Sequence, residues 1–268
     1  MSATPEGSAP GKDEVTRHAE QSSGFCEQLL SKVLDEFNSK DGDSPCASSP
    51  NEEESPRAPL LKTSGDEGLG IVLREVFSAV TMLLPTAASA VLLHEKRSSG
   101  EYGCLPCGLV LLAGFAAHMV ASLSYHFACA LSVYRPGLDV RPWRCLDQSL
   151  VFIGCITCAW ALSGSTVYAL GVVMPFCIWA VVRLWYPCES EMRHHRFQRM
   201  GVGILLYLAP LAVRGQFWPL GGCCLCMFFT GLFFAFDHHL AGWGHGLMHL
   251  VLVPYACIMM YSALELHA

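Results

Sequence analysis

The residues with the clearest capacity for chemistry are three histidines, a serine and an aspartate. His245-Gly246-Leu247-Met248-His249 sets two imidazoles at i and i+4. On a helix these share one face and can bind one metal ion. Ser122-Leu123-Ser124-Tyr125-His126 repeats that spacing with a hydroxyl and an imidazole, and Asp147 opens the next apolar segment. An ionisable group at membrane depth is costly, so each of these calls for a partner or a task. Three imidazole nitrogens with a fourth tetrahedral position open are the donor set of a catalytic zinc site. Such a site acidifies a water molecule. Asp147 can hold that water or take its proton, and Ser122 can donate to the water or to a substrate oxygen.

Plainer roles exist for some of them. Aspartate is a favoured N-cap at a helix start. His126, near an interface, can bond a backbone carbonyl, and Ser122 can bond back to its own helix. His245 and His249 are harder to explain in this way, because two on one face need two partners. Among the other histidines, His118 is two turns deeper than His126 and reads as a packing or hydrogen-bonding residue. His238 and His239 read as solvated loop, and His194 and His195, among arginines, as surface.

The elements that must position these groups are seven apolar runs, at 69–93, 105–131, 146–163, 166–186, 198–213, 216–236 and 243–265. A spanning helix needs roughly 20 residues, with a range of about 17–25; the fifth run is short. Ser163-Gly164-Ser165 and Arg214-Gly215 are tight connections, and Trp143, Trp185, Tyr186, Trp218 and Trp243 fall near helix ends, where interfacial aromatics belong. The predicted fold is all-α, a seven-transmembrane helix bundle. In it the end of the second helix and the starts of the third and seventh share one side, so His126, Asp147, His245 and His249 meet in one leaflet. The loops on that side carry Arg135, Arg141, Arg144, Arg193, Arg196 and Arg199; the other side has Lys96, Arg97 and Arg214. This excess predicts a cytoplasmic N-terminus, with the histidines on the cytoplasmic side.

Composition divides the chain in two. Of 268 residues, 52% are hydrophobic and 15% charged, against roughly 25% charged in a soluble domain. Residues 1–68 hold 6 Lys+Arg and 14 Asp+Glu, a formal charge of −8, which leaves +2 for residues 69–268 out of the whole-chain −6. The first part reads as an acidic, disordered tail, with no apolar signal segment over Met1 to Asp13. Within it Phe25, Leu29, Leu30, Val33, Leu34 and Phe37 recur at helical spacing, which predicts an amphipathic helix near 24–38 that lies on the membrane or the helical domain, or docks a protein partner. No basic patch on a nucleic-acid-binding fold is present, so nucleic acid is excluded as a partner. Of 14 cysteines, Cys129, Cys155, Cys158, Cys177, Cys223, Cys224, Cys226 and Cys257 fall inside apolar stretches, where cysteine packs as a small hydrophobe. Cys104 and Cys107 form a C-x-x-C at a loop edge; a zinc site of that kind would need a second pair.

Ser122-x-x-x-His126, Asp147 and His245-x-x-x-His249, on the second, third and seventh of seven helices, resemble the CREST superfamily of membrane hydrolases. That group includes alkaline ceramidases, progestin and adipoQ receptors with their hemolysin III-like relatives, and proteins of GPI-anchor remodelling. The resemblance covers 69–268. It implies zinc on His126, His245 and His249, with Asp147 and Ser122 supporting the water, and a Glu75 similar to an acidic residue near the start of the helical domain in several branches. From the residues alone, Glu75 reads as an interfacial partner of Arg74. The expected activity is Zn2+-dependent hydrolysis of an acyl amide or ester bond of a membrane lipid, ceramide- or phospholipid-like. A receptor-like or scaffolding protein with a closed, structural zinc site is the alternative. A transporter would need further polar groups along a path through the bilayer, which helices four to six lack.

Overall fold

The computed structural model describes residues 65–187 and 193–266. Residues 1–64 of the acidic tail, with the amphipathic helix expected near 24–38, lie outside the described residues, while 65–68, expected in the tail, belong to the first helix. Among the described residues there are seven helices and no strand: α1 Gly65–Ser99, α2 Leu105–Ser132, α3 Arg141–Ser163, α4 Thr166–Trp185, α5 Arg193–Val213, α6 Phe217–Ala235 and α7 Gly244–Leu264. Within α4 a π-turn at Ala169–Val173 precedes Pro175, whose missing N–H leaves one helical bond unmade.

Six of the seven are long and apolar enough to cross a membrane, the composition of a multi-pass membrane protein. The exception is α5, the run expected to be short. Its first two turns hold Arg193, His194, His195, Arg196, Gln198 and Arg199, so the apolar remainder, at 1.5 Å per residue, is about 20 Å long against a hydrocarbon core of about 30 Å. Several helices outrun their apolar runs. α3 begins at Arg141 rather than 146, and α1 continues through His94, Glu95, Lys96 and Arg97. Hydropathy marks where the bilayer ends, whereas backbone bonding carries the helix beyond it. Arg199, counted among the loop cations, lies inside α5, buried with its guanidinium 5.7 Å from the Trp179 ring.

The helices run alternately between two ends. At one end Trp185 at the close of α4 donates to Ser149 near the start of α3 (3.0 Å). At the other, the N–H groups of Gly103 and Cys104 both donate to the Leu264 carbonyl (2.7 and 3.2 Å), which ties the start of α2 to the end of α7. α7 is central, packed on α1, α6, α2 and α3, while α3 is clasped by α2, α4 and α5. The interior mixes small residues, with Ala159, Ala161, Ala180, Ala263 and Cys223 fully buried, with larger ones such as Leu111, Leu162 and Met259, while Leu205, Val213 and Trp218 face outward. In lipid, apolarity does not select the inner face; close backbone approach does.

Gly114 on α2 shows how close that approach is. A Cβ there would fall 2.2 Å from Thr157 Oγ1 on α3. Gly114→Ala is therefore expected to destabilise the bundle by about 1–3 kcal/mol. Adding Thr157→Ala should recover most of that loss, read as the midpoint of thermal unfolding in detergent for the two single variants and the pair.

Candidate metal centre

The site is assembled from α1, α2 and α7 at the end of the bundle where α3 begins. α1 presents Glu75, Ser78 and Thr81 on one face, and the last two are buried. α7 lies against that face because Gly246 has no side chain: a Cβ there would sit 2.3 Å from Phe77 Cδ1 and 3.3 Å from Ser78 Oγ. Gly244 plays the same part against α6, where a Cβ would fall 2.4 Å from the Phe233 carbonyl oxygen. The α6–α7 connection is wound tightly through Ala241 (φ 51°) and Gly242 (φ 82°), and Asp237 Oδ1 accepts the His245 backbone N–H at 3.1 Å. Phe77 and Trp243 meet edge to face at 5.2 Å, and Arg74 donates to the Ala241 carbonyl at 2.6 Å. All these contacts hold the first turn of α7 in place.

In that frame His126, His245 and His249 converge. Their ring centroids are 5.0 Å apart for His126–His245, 5.5 Å for His126–His249 and 4.8 Å for His245–His249, with the planes strongly inclined to one another. One ligand nitrogen from each lies within 4.8 Å of the others, an arrangement that can hold a metal ion. His126 and His249 are buried and His245 is half-buried.

The outer bonds of two rings decide which nitrogen is free. His249 Nδ1 is 2.9 Å from the Ser78 carbonyl oxygen, with Thr81 Oγ1 at 3.4 Å. A carbonyl only accepts, so Nδ1 carries the proton and Nε2 presents a lone pair. His126 Nδ1 is 2.7 Å from Glu75 Oε2, and its Nε2 is buried with no hydrogen-bond partner. The carboxylate accepts from Nδ1–H, which again leaves Nε2 bare. This carboxylate–histidine arrangement fixes the tautomer and raises ligand basicity. A buried imidazole nitrogen with nothing to accept, beside two further imidazoles, is the observation that fits a bound cation. Among the described residues, no fourth His, Cys, Asp or Glu joins the group.

No family model, curated protein or solved structure matches this chain. The reading of the site therefore rests on its own geometry.

Two of the plainer readings from the sequence do not hold. Glu75 does not pair with Arg74; it bonds His126, and Arg74 reaches the α6–α7 connection instead. Asp147 is not an N-cap, since α3 starts at Arg141 and Asp147 lies in its second turn; Asp139 Oδ1 accepts the Arg141 N–H at 2.9 Å. Asp147 stands outside the histidine cluster, with Oδ1 3.3 Å from His118 Nε2. That is ion-pair distance without hydrogen-bond alignment, and the oxygen is buried without a hydrogen bond. Ser122 is buried one turn before His126. His238 and His239 are exposed and stacked on each other, as expected of solvated loop residues.

Sequence reasoning missed Ser78 and Asp237. The carbonyl of Ser78 has no signature in a sequence. Gly244 and Gly246 flanking His245 were the available signal for close helix contact on both sides of that residue. The Glu75 bond carries its own prediction. Glu75→Ala is expected to weaken metal binding by about 10–100-fold while the fold persists, measured by competition with a chromogenic chelator.

Proposed function

We propose that the chain is a seven-span, zinc-dependent membrane hydrolase that cleaves an acyl amide or ester bond of a ceramide- or phospholipid-like lipid. The observation that carries this reading is the pair of outer bonds, from Glu75 to His126 and from the Ser78 carbonyl to His249, which leave both Nε2 lone pairs free in a cluster with His245. Neutral imidazoles suit zinc, and three protein ligands without a fourth among the described residues favour an open, catalytic position over a closed, structural one. Zinc, when bound, supplies Lewis-acid polarisation of a carbonyl and acidifies a water molecule. His126, His245 and His249 would hold it. Asp147 takes the proton of the attacking water, with His118 steadying its carboxylate. Ser122 donates a hydrogen bond to the substrate carbonyl oxygen as charge develops there.

Seven crossings are supported by the alternation of helix ends. α4 closes at the histidine end and α6 opens at the other, so α5 has to connect the two despite its short apolar stretch. The excess of arginine at the histidine end favours a cytoplasmic site, and its depth favours a substrate delivered from the bilayer. The test is to incubate the purified full chain with panels of ceramides and phospholipids and follow fatty-acid release by mass spectrometry. Release that needs zinc and is lost in His245→Ala supports the proposal. His245→Ala with unchanged zinc content and unchanged activity removes it.

A further inference from the structure

At the opposite end of the bundle α2 opens on Cys104-Leu105-Pro106-Cys107, and the two cysteines are joined as a disulfide. A loop this short confers little chain-entropy stabilisation. The backbone there is already anchored without it, because the Gly103 and Cys104 N–H groups both bond the Leu264 carbonyl at the end of α7. Breaking the sulfur bond would leave that attachment in place.

The two sulfurs are unequal. Cys104 is half-buried at the N-cap, while Cys107, in the first turn, is 1% exposed. The Cys107 backbone N–H points at Cys104 Sγ from 3.3 Å, and the first turn of α2 holds no acidic residue. A thiolate released on Cys104 would meet that N–H and the positive end of the helix. The residue before it, Gly103, lines an open groove of about 570 Å³ together with Lys96, Glu101, Tyr102, Gln216 and Tyr261. A half-buried cysteine at a helix N-terminus, a fully buried partner one turn on and a backbone donor aimed at the first sulfur make an exchange site rather than a staple.

We propose that Cys104–Cys107 is a redox-active disulfide that exchanges with low-molecular-weight thiols of the glutathione class at the membrane face opposite the histidines. An incoming thiolate attacks the Sγ of Cys104, the less buried of the two residues. The Cys104–Cys107 bond breaks, and Cys107 leaves with the electron pair and takes up a proton. A second thiolate attacks the incoming sulfur of the mixed disulfide and releases Cys104, which is protonated in turn. Two thiols are oxidised to one disulfide, and the protein gains two electrons and two protons.

The test uses the full chain in lipid nanodiscs, equilibrated with glutathione buffers stepped from oxidised to reduced, quenched with a maleimide and read by peptide mass spectrometry. The dithiol fraction is expected to follow the glutathione ratio, with Cys104 in the reduced protein alkylated about tenfold faster than Cys107. Cys107→Ser should trap one glutathione on Cys104. A pair that stays oxidised at every ratio until the protein is denatured, or a Cys107→Ser variant that takes up no glutathione, overturns the proposal.

Discussion

Replacing His245 and His249 together with alanine is expected to strip the protein of its metal. Detergent-purified wild type should carry about one zinc per chain by elemental mass spectrometry, and the double variant none. The effect is large because two of three nitrogens are removed at once, and His126 alone, however well oriented by Glu75, is a single imidazole. The variant should still fold. Most contacts that seat α7 on α1 and α6 come from Gly244, Gly246, Phe77, Trp243 and the Asp237 cap, and the ring bond lost is that of His249 to the Ser78 carbonyl. Helical content by circular dichroism should therefore match wild type while zinc is lost. Wild type prepared without chelators and found free of zinc would return these histidines to packing or proton-relay roles, and the hydrolase proposal would lose its basis.

Asp147→Asn is expected to leave the zinc in place and slow lipid hydrolysis by about 10²–10⁴-fold, the usual contribution of a positioned acid–base group. Asparagine keeps the shape of the side chain and a carbonyl oxygen near His118, but it cannot take a proton. The loss should fall on kcat with KM little changed, because Asp147 stands outside the metal cluster and acts on the attacking water rather than on the lipid. Zinc lost along with activity would mark Asp147 as a ligand. An unchanged rate would confine it to its pairing with His118.

Much of the site was legible because a bilayer makes its exceptions conspicuous. His126, His245 and His249 stood out as imidazoles in apolar runs, and the i, i+4 spacing together with the up-and-down order of helices brought them to one end. Their convergence in space follows from that logic. Glu75 was visible for the same reason but was given the wrong partner. Sequence proximity favoured Arg74, whereas successive helix residues point in different directions, and Glu75 faces α2. Asp147 was read as opening the third helix, which made a cap its plainer alternative role, because the apolar run begins near it, while the helix begins at Arg141.

The sequence by itself determined an all-helical membrane architecture, the approximate place of each helix and the three residues able to share a metal. These follow from length, apolarity and spacing, which are properties of the chain read one segment at a time. The tertiary structure decided which imidazole nitrogen is free. That depends on the Ser78 carbonyl, brought to His249 across an α1–α7 contact that only glycine at 246 permits, and on the Glu75 carboxylate, brought to His126 where α1 meets α2. It also decided which faces are interior. In a helix apolar all round, surrounded by lipid as apolar as its own side chains, burial is set by how closely two backbones can approach, and that is a property of pairs of helices.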